Sequence, residues 1–408
     1  MNGARSALRK ALAGRPQPLL EYEGAPQVLY LPLRHRLNTV TAAMEGATAT
    51  TSAAPLRPTV LYFARLGDTV MATALLNFLH LRYGQPCHFI GAGSWNEGVF
   101  VDNPDVAQAW SFGRHFPFLL TRQWPTVARA LRDAHPGPVY ICEHNHRQLP
   151  RIHRILKFAG VDPRRCLFMT ERPGTVHHSV DRLIHLGKQT PELLEAADYP
   201  VPESEAAWVP RLRVTNRDRV ELDEWLRSQG WAGRPIVMVQ PGNHRSMGRK
   251  RHRWRRLKTD DKAWPIERWV SLLHLMHARM PDALIMLRGS QEEVAMLREV
   301  QAAVGLDAVV VAGVGLRRLF ALCEASHSMI SVDTGPAHAA AALGLPLVVM
   351  YGAEEQRFWL PRSPSGSPVV GVGGPPESVR ADQIPVEAVF NAWCQVLAQP
   401  WRRPPSAR

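Results

Sequence analysis

The hydrophobic positions of this chain form two alternating patterns: short unbroken apolar runs, and longer segments in which apolar residues recur every three or four positions. The first run, residues 60–64, is rich in β-forming residues and predicts a buried strand. A Gly67–Asp68 turn follows. Apolar residues at helical spacing then extend from 70 to 79, and Gly84 stands in the position of a C-terminal cap. A buried strand that leads into an amphipathic helix is the unit of a parallel α/β sheet.

The same alternation recurs in both halves of the chain. Strands are predicted at CHFIGAG (87–93), PVYICEH (138–144), PIVMVQPG (235–242), ALIMLRG (283–289), SMISVD (328–333) and LPLVVMYG (345–352). Helices are predicted at PIERWVSLLHLMHARM (265–280), GLRRLFALCEAS (315–326) and TGPAHAAAALG (334–344). We therefore expect two doubly wound α/β domains.

The boundary between these domains is predicted near residues 200–215, in the Pro- and charge-rich stretch YPVPESEAAWVPRLRV. The first domain is expected at 58–205 and the second at 206–408. One option is that the last helix packs back on the first domain. Residues 1–57, which include the small-residue stretch EGATATTSAAPLRP, are expected to be an extension and linker.

Composition adds information about the kind of partner. The 408 residues are 45% hydrophobic and 21% charged, as in a globular protein, and the formal net charge of +13 predicts an anionic partner. Five scattered cysteines without a CxxC pair argue against a disulfide framework or zinc site and favour a reducing compartment. The sequence shows neither a signal-peptide core in its first residues nor an apolar run of about 18 residues.

The basic residues concentrate in two segments. In residues 5–12, Leu8 and Leu12 stand among three cations, which fits either a short amphipathic helix on anionic lipid or a solvated terminus. The stretch GRKRHRWRRLKTDDKAWP (248–265) is the most basic in the chain. Nucleic acid, a membrane surface, substrate phosphates and a solvated loop all fit its charge. Its single aromatic residue, Trp254, and the absence of helix-turn-helix, RNP and P-loop patterns weigh against nucleic acid.

The clearest local chemistry lies in SVDTGPAHAAAALGLP (331–346). A buried strand ends at Asp333, Thr334 is in position to cap the next helix, and Gly335 permits close approach of a ligand to the backbone. The helix start supplies N–H groups and a positive dipole end, and His338 adds a donor, so a diphosphate fits here. A helix cap without ligand fits the same residues.

Two further residues stand where predicted strands give way to helices. Asp68, in ARLGDTVMA, is suited either to act as a general base toward a hydroxyl or to cap a helix. Lys262 follows the basic stretch and precedes a helix. Its ammonium group is suited either to bind phosphate oxygens or to remain solvated.

In combination these segments resemble glycosyltransferase family 9, the ADP-heptose–lipopolysaccharide heptosyltransferase family. The matching pieces are LGDTVMATALL, QPGN…KAWPIERWVSLL, LRGSQEE and SVDTGPAHAAAALGLPLVVMYG, which together span about residues 58–355. The resemblance implies a GT-B fold, in which two Rossmann-like domains face each other across a cleft. It also implies that the donor binds to the second domain and the acceptor mainly to the first.

The resemblance also assigns roles to individual residues. It implies that Asp68 is the catalytic base and that Lys262 contacts the phosphate and sugar of the donor. Glu292 matches the carboxylate that binds the donor ribose, with Glu293 as the alternative one position away. The residues implied to hold the donor sugar and diphosphate are Asp333, Thr334, Gly335 and His338.

The implied reaction is the inverting, metal-independent transfer of a sugar, heptose from ADP-heptose, to a lipopolysaccharide-type or other lipid-linked saccharide. The implied protein is bacterial, needs no cofactor, and lies peripherally at the cytoplasmic face of the membrane, with anionic lipid and no nucleic acid as partner. The alternatives are a nucleic-acid-binding protein that uses residues 245–258 and a non-catalytic sugar-binding homologue. Two features depart from the family pattern: the twenty positions between Gly242 and Lys262, and the extension 1–57.

Overall fold

The computed structural model describes residues 54–113, 117–133, 137–143, 148–169, 178–204, 207–243 and 260–398. In these residues the strands form two parallel sheets. The first contains β1 (Thr59–Tyr62), β2 (Cys87–Ala92), β3 (Val106–Phe112), β4 (Val139–Ile141) and β5 (Cys166–Phe168). The second contains β6 (Ile236–Gln240), β7 (Leu284–Gly289), β8 (Val309–Gly313), β9 (Ser328–Val332), β10 (Leu347–Tyr351) and β11 (Val369–Gly373).

Helices connect these strands and cover the sheets. Those between β1 and β6 are α1 (Leu66–Tyr83), α2 (Trp95–Val99), α3 (Trp124–Asp133), α4 (Leu149–Ala159), α5 (Ser179–Lys188) and α6 (Asn216–Ser228). Those after β6 are α7 (Ile266–Arg279), α8 (Val294–Val304), α9 (Leu316–Ala325), α10 (Gly335–Ala342), α11 (Gln356–Trp359) and α12 (Val386–Ala398). Within the described part of the chain, no helix combines the length and apolar character needed to cross a bilayer.

The strand order confirms the predicted pair of doubly wound domains. The first sheet has the order β3-β2-β1-β4-β5 and the second has β11-β10-β9-β6-β7-β8, with every pair parallel. Both orders reverse direction once, between β1 and β4 in the first sheet and between β6 and β9 in the second. Open α/β sheets bind ligands at such switch points, beyond the carboxyl ends of the strands.

Helix α10 lies between the two domains because its side chains are small. Its alanines, Ala337 and residues 339–342, are all at most 2% exposed. On one side α10 packs on β9 and β10, and on other sides it packs on α1 and α9. A helix with larger side chains would hold these neighbours further apart, since interaxial distance follows side-chain size at the contact. One hydrophobic core therefore continues from β1 and α1 through α10 into β10.

Polar contacts also join the two domains. Arg317 on α9 donates to the carbonyl oxygen of Gly98 on α2 at 2.8 Å and pairs with Asp218 on α6. Arg362, after α11, makes a bidentate ion pair with Asp181 on α5, with N···O distances of 2.5 and 2.7 Å. Paired Arg–carboxylate hydrogen bonds fix orientation as well as distance. The Arg317–Gly98 and Arg362–Asp181 contacts thus add to the packing of α10 in holding the two domains together.

The last described helix, α12, packs on the second sheet. It contacts β9, β10, β11 and α7, and its buried Trp393 donates through Nε1 to Ser328 Oγ at 2.9 Å. The sequence analysis raised the option that the last helix packs back on the first domain, and the described residues have the other arrangement. The reason is that the apolar positions Val389, Trp393 and Val396 complete the core beneath β9 and β10.

Candidate functional site

The residues predicted to carry chemistry follow the strands that border the two switch points. Asp68 follows β1 in the first sheet. Lys262 lies in the connection after β6, and Asp333 and His338 follow β9 in the second. Because the strands are parallel, these connections lie at the carboxyl edges of the sheets, where the topology leaves a crevice. Asp68 and His338 are about 270 residues apart in sequence, and the fold explains why both follow a strand at the carboxyl edge of a sheet.

Asp68 is part of the start of α1. Arg65 is the N-cap residue, and its backbone N–H donates to Asp68 Oδ2 at 3.0 Å, so the carboxylate occupies the third helical position and caps the helix. The N-cap position considered for Asp68 is therefore held by Arg65, and Asp68 contributes to the cap from the third helical position. The role of Asp68 as a base stays a prediction.

The starts of α1 and α10 meet at van der Waals distance. A Cβ atom added to Gly335 would lie 2.9 Å from Leu66 Cβ and 3.0 Å from the backbone nitrogen of Gly67. A Cβ added to Gly67 would lie 2.9 Å from Cδ2 of His338. Glycine is required on both sides of this contact. Two positive helix dipole ends consequently face one region, which favours negative charge there.

Lys262 forms an ion pair with Asp333 at the carboxyl edge of the second sheet. Its Nζ lies 2.5 Å from Asp333 Oδ2 and donates to the backbone carbonyl oxygen of Asp333 at 3.2 Å. The two side chains are 14% and 10% exposed. An ammonium group has three N–H donors, and Asp333 accepts from two of them. The pair holds the Lys262 ammonium group beside Asp333, just before α10, and its contact with a donor phosphate stays a prediction.

The basic insertion is tied at its base. Asn243, shortly after β6, donates through Nδ2 to Asp260 Oδ2 at 2.8 Å, and Asp260 Oδ1 accepts from the backbone N–H of Lys262 at 3.1 Å. Asn243 and Asp260 are both buried, at 4% and 1% exposed. The body of the insertion, 245–258, lies outside the described residues, as does the basic segment near the N-terminus. The clamp accounts for how Lys262 keeps its place despite the long separation from Gly242.

Thr334 does not make the capping hydrogen bond that the sequence analysis considered for it. It holds the N-cap position of α10. Its hydroxyl lies 3.2 Å from that of Ser331.

The two glutamates after β7 differ in burial. Glu293 is 2% exposed and accepts from the backbone N–H of Ser290 at 2.8 Å, in the N-terminal cap of a 3-10 turn. Glu292 is exposed. The geometry therefore leaves Glu292 as the carboxylate that is accessible to a ligand.

The sequence analysis missed a buried polar group beneath Asp68. Tyr62 ends β1, and burial raises its pKa well above the ordinary value. The negative charges of Asp68 and Glu143 raise it further, and the nearby positive charge of Arg182 opposes them. Glu143 and Arg182 are only 4% and 7% exposed. Glu143 follows β4, the other strand at the first switch point, and that position was the signal that could have identified it.

We expect Gly335→Ala to destabilise the protein by about 1–3 kcal/mol and to impair activity, since an added methyl group must push the α1 and α10 starts apart. Chemical unfolding followed by circular dichroism measures the first effect. Gly315→Ala is the matched control, because a Cβ at Gly315 would contact nothing within 4 Å. That control is expected to cost at most about 1 kcal/mol through its N-cap position. Equal losses in the two variants would contradict the close contact.

His338 predicts a loss of stability in mild acid. Burial lowers its pKa from 6.5 to about 4, with Lys262 and His178 acting in the same direction and Asp333 opposing them. Between these values the unfolded chain binds a proton that the folded chain does not, so lowering the pH favours unfolding by about 1.4 kcal/mol per pH unit. His88, whose pKa burial also lowers to about 4, acts with the same sign.

The measurement is the free energy of unfolding of wild type and His338→Gln at pH values from 7 to 4.5. The stability advantage of the wild type is expected to shrink steadily as the pH falls below about 6.5. A constant difference across that range would show that His338 is not kept neutral by the fold. His88→Gln is the matched control. His88 lies near the start of β2, away from the carboxyl ends of the strands, and because burial also lowers its pKa to about 4, its variant is expected to show the same pH dependence.

Comparison with known proteins agrees with this architecture. The sequence model of glycosyltransferase family 9 (heptosyltransferase) matches residues 168–374, just over half of the chain. Lipopolysaccharide heptosyltransferase 3 of Escherichia coli is 30% identical over 104 residues, which is 25% of this chain and 31% of the relative. The match to this curated relative therefore spans less than a third of its length.

Solved structures share the fold over most of the chain. E. coli ADP-heptose LPS heptosyltransferase II has a TM-score of 0.63 at 18% identity and covers 84% of this chain and 99% of its own. A glycosyltransferase family 9 protein from Veillonella parvula has 0.66 at 15% identity, with 85% and 98% covered. E. coli heptosyltransferase WaaC with ADP has 0.56 at 15% identity, with 84% and 100% covered. The chain, with its GT-B fold, belongs to glycosyltransferase family 9, the heptosyltransferase family.

Proposed function

We propose that this protein transfers heptose from ADP-heptose to a lipopolysaccharide-type or other lipid-linked saccharide, with inversion at the anomeric carbon and without a metal ion. The observation that carries the proposal is the contact of the α1 and α10 starts. This contact joins the helix start that contains Asp68 to the helix start that follows Asp333, the ion-pair partner of Lys262. A base beside an anion-binding group is the constellation that sugar transfer from a diphosphate requires.

The donor is proposed to bind at the second switch point. Lys262 binds a diphosphate oxygen with the N–H donor that Asp333 does not use, and Gly335 and the dipole of α10 add positive potential. Asp333, Thr334 and His338 hold the donor sugar. Glu292, exposed after β7, accepts from the ribose hydroxyls. His338 acts as a neutral donor or acceptor there, because burial lowers its pKa to about 4.

In the proposed step, Asp68 accepts the proton of an acceptor hydroxyl. The oxygen of that hydroxyl forms a bond to the anomeric carbon from the face opposite the diphosphate, and the bond from this carbon to the diphosphate oxygen breaks. The nucleoside diphosphate leaves with the electron pair of that bond, and its negative charge is stabilised by Lys262 and the start of α10. Attack from the opposite face inverts the anomeric configuration.

The acceptor is proposed to bind in the first domain, taken as 58–205, and the donor in the second, taken as 206–408. A phosphorylated or otherwise anionic acceptor suits the net charge of +13. We further propose that the protein lies peripherally at the cytoplasmic face of a bacterial membrane, since a lipid-linked saccharide presents its sugars at a bilayer surface and anionic lipid attracts a basic protein.

A ligand-specific thermal shift combined with product analysis tests the proposal. ADP-heptose is expected to raise the melting temperature more than UDP- or GDP-sugars at equal concentration, since a ligand that binds only the folded state stabilises it. Incubation with a lipopolysaccharide core acceptor is expected to give a product of opposite anomeric configuration, with or without EDTA. No stabilisation by any of the nucleotide sugars, or a retained configuration, would overturn the proposal.

A further inference from the structure

The first domain has an exposed apolar group of side chains that the proposed reaction does not use. Leu119 and Leu120 lie on a 3-10 turn, Phe118–Leu120, and Phe158 lies near the end of α4. They are 42%, 72% and 57% exposed, and Leu120 is the most exposed large apolar side chain of the described residues. Single exposed apolar residues are common, whereas neighbouring ones mark an interaction surface. We call Leu119, Leu120 and Phe158 the apolar tip.

The apolar tip is held rigidly from below. Phe118 is only 6% exposed, and its ring centroid lies 4.9 Å from that of Trp124 and 6.2 Å from that of Phe158. The turn is closed by hydrogen bonds from the Thr121 backbone N–H and hydroxyl to the carbonyl oxygen of Phe118, at 3.1 and 2.7 Å. Because the Phe118 ring packs on the Phe158 ring, the turn that carries the two leucines lies next to Phe158 on α4.

Cations surround this tip and acids are nearly absent. Arg122 follows the turn, and Arg154 and Lys157 flank Phe158 on α4. All three are exposed, and none has an ion-pair partner among the described residues. Residues 113–161 contain eight Lys or Arg residues and two acids, one of which, Glu143, is buried. Surface cations without acidic partners favour an anionic neighbour.

We propose that the apolar tip and its rim of cations form the face by which this protein docks on an anionic bilayer. The leucines and Phe158 enter the boundary between headgroups and acyl chains, and Arg122, Arg154 and Lys157 bind lipid phosphates around them. Apolar burial combined with attraction between cations and anionic lipid is the physical basis of peripheral membrane binding. The inference rests on the proposed membrane attachment and assigns it to a definite surface of the first domain.

Vesicle co-sedimentation of the full chain tests this face. The vesicles are phosphatidylcholine alone, or phosphatidylcholine with about one third phosphatidylglycerol as anionic lipid. Wild type is expected to bind the anionic vesicles and to lose binding as salt is raised. The triple variant Leu119→Ser, Leu120→Ser, Phe158→Ser is expected to need about tenfold more lipid for the same bound fraction. The double variant Val220→Ser, Val379→Ser removes comparable apolar side chains elsewhere, at 54% and 55% exposure, and is expected to bind as wild type.

A second measurement reads insertion directly. Leu120→Trp is expected to gain fluorescence that brominated lipids quench, whereas Val220→Trp is expected to gain fluorescence that they do not. Melting temperatures of all variants confirm folding. Transfer to a delipidated saccharide is expected to be unchanged in the triple variant, so that loss of docking is distinguished from loss of catalysis.

Three results would overturn the assignment. If the wild type did not bind anionic vesicles, the proposed membrane attachment would be wrong. The proposed sugar transfer would still be decided by its own test. A triple variant that binds vesicles as wild type does would show that another part of the chain makes the contact. If brominated lipids did not quench the fluorescence of Leu120→Trp, the apolar tip would not enter the bilayer. The tip would then be a surface for a protein partner.

Discussion

Asp68→Asn is expected to lower the turnover number by about 10²- to 10⁴-fold while donor affinity stays nearly unchanged, the range that loss of a general base produces. The side-chain oxygen of Asn can still accept the hydrogen bond from the Arg65 N–H, which Asp68 Oδ2 accepts at 3.0 Å. The helix cap is therefore largely kept while the proton acceptor is removed. Steady-state transfer kinetics and donor titration measure the two effects separately.

Asp162→Asn is the matched control for this variant. Asp162 accepts the backbone N–H of Arg164 at 2.9 Å at the start of a 3-10 turn before β5, so it lies at the opposite edge of the first sheet. It is expected to keep full turnover. Near-normal turnover of Asp68→Asn would show that Asp68 serves α1 only as a cap and that the base is another group.

Lys262→Met is expected to lower both the stability of the protein and its affinity for the donor. The Asp333 carboxylate is 10% exposed, and in this variant it loses the one ion-pair partner that it has among the described residues, a situation that typically costs about 3–5 kcal/mol. Donor affinity is expected to fall as well, because the cation that binds the diphosphate is absent. Urea unfolding measures the first effect and titration with ADP measures the second.

A double variant separates the two roles of Lys262. In Lys262→Met combined with Asp333→Asn, the buried unpaired charge is gone, so most of the lost stability is expected to return, whereas donor affinity stays low. If ADP binding returned together with stability, the Lys262–Asp333 pair would be a structural ion pair and not a donor contact. Lys262→Arg keeps the charge but changes its shape, and it is expected to fall between wild type and Lys262→Met in donor affinity.

Several elements of the fold were predictable from local pattern. The runs that became β1, β6 and β10 are apolar apart from a terminal Thr59 and Gln240, as expected of strands covered on both faces, and β9 keeps three apolar residues of five. Gly84 ends α1 with a φ of 73°, in the left-handed conformation that its predicted capping role requires. These signals are local, so a chain met without its structure displays them.

Other elements were missed because the local signal was weak. The edge strand β3, VAQAWSF, mixes small and polar residues, and β5 has only three residues. Glycines interrupt β11, VVGVG. In contrast, β8, VVVAG, is an apolar run of the same kind as the strands that were found, and it could have been predicted.

The candidate site shows a similar division. Asp68, Lys262 and Asp333 were singled out because each stands beside the end of a predicted strand, and the tertiary structure associates Lys262 with Asp333 at 2.5 Å. The choice between Glu292 and Glu293 could not be made from spacing, since both fit the pattern. Burial of Glu293 in a capping interaction distinguishes them. Glu143 could have been related to Asp68 by its place after β4, whereas Arg182, within α5, gave no such signal.

By itself, the sequence determined that this chain forms two doubly wound α/β domains and which strand-end loops carry charged or glycine-rich segments. Hydrophobic periodicity and helix-terminus chemistry act over a few neighbouring residues and are visible in one dimension. Only the tertiary structure decided that the starts of α1 and α10 meet, because that contact depends on strand order and on buried alanines that let two helices approach. It also decided that Asn243 and Asp260 close the base of the insertion, since a hydrogen bond between residues 17 positions apart follows from the folded path of the chain.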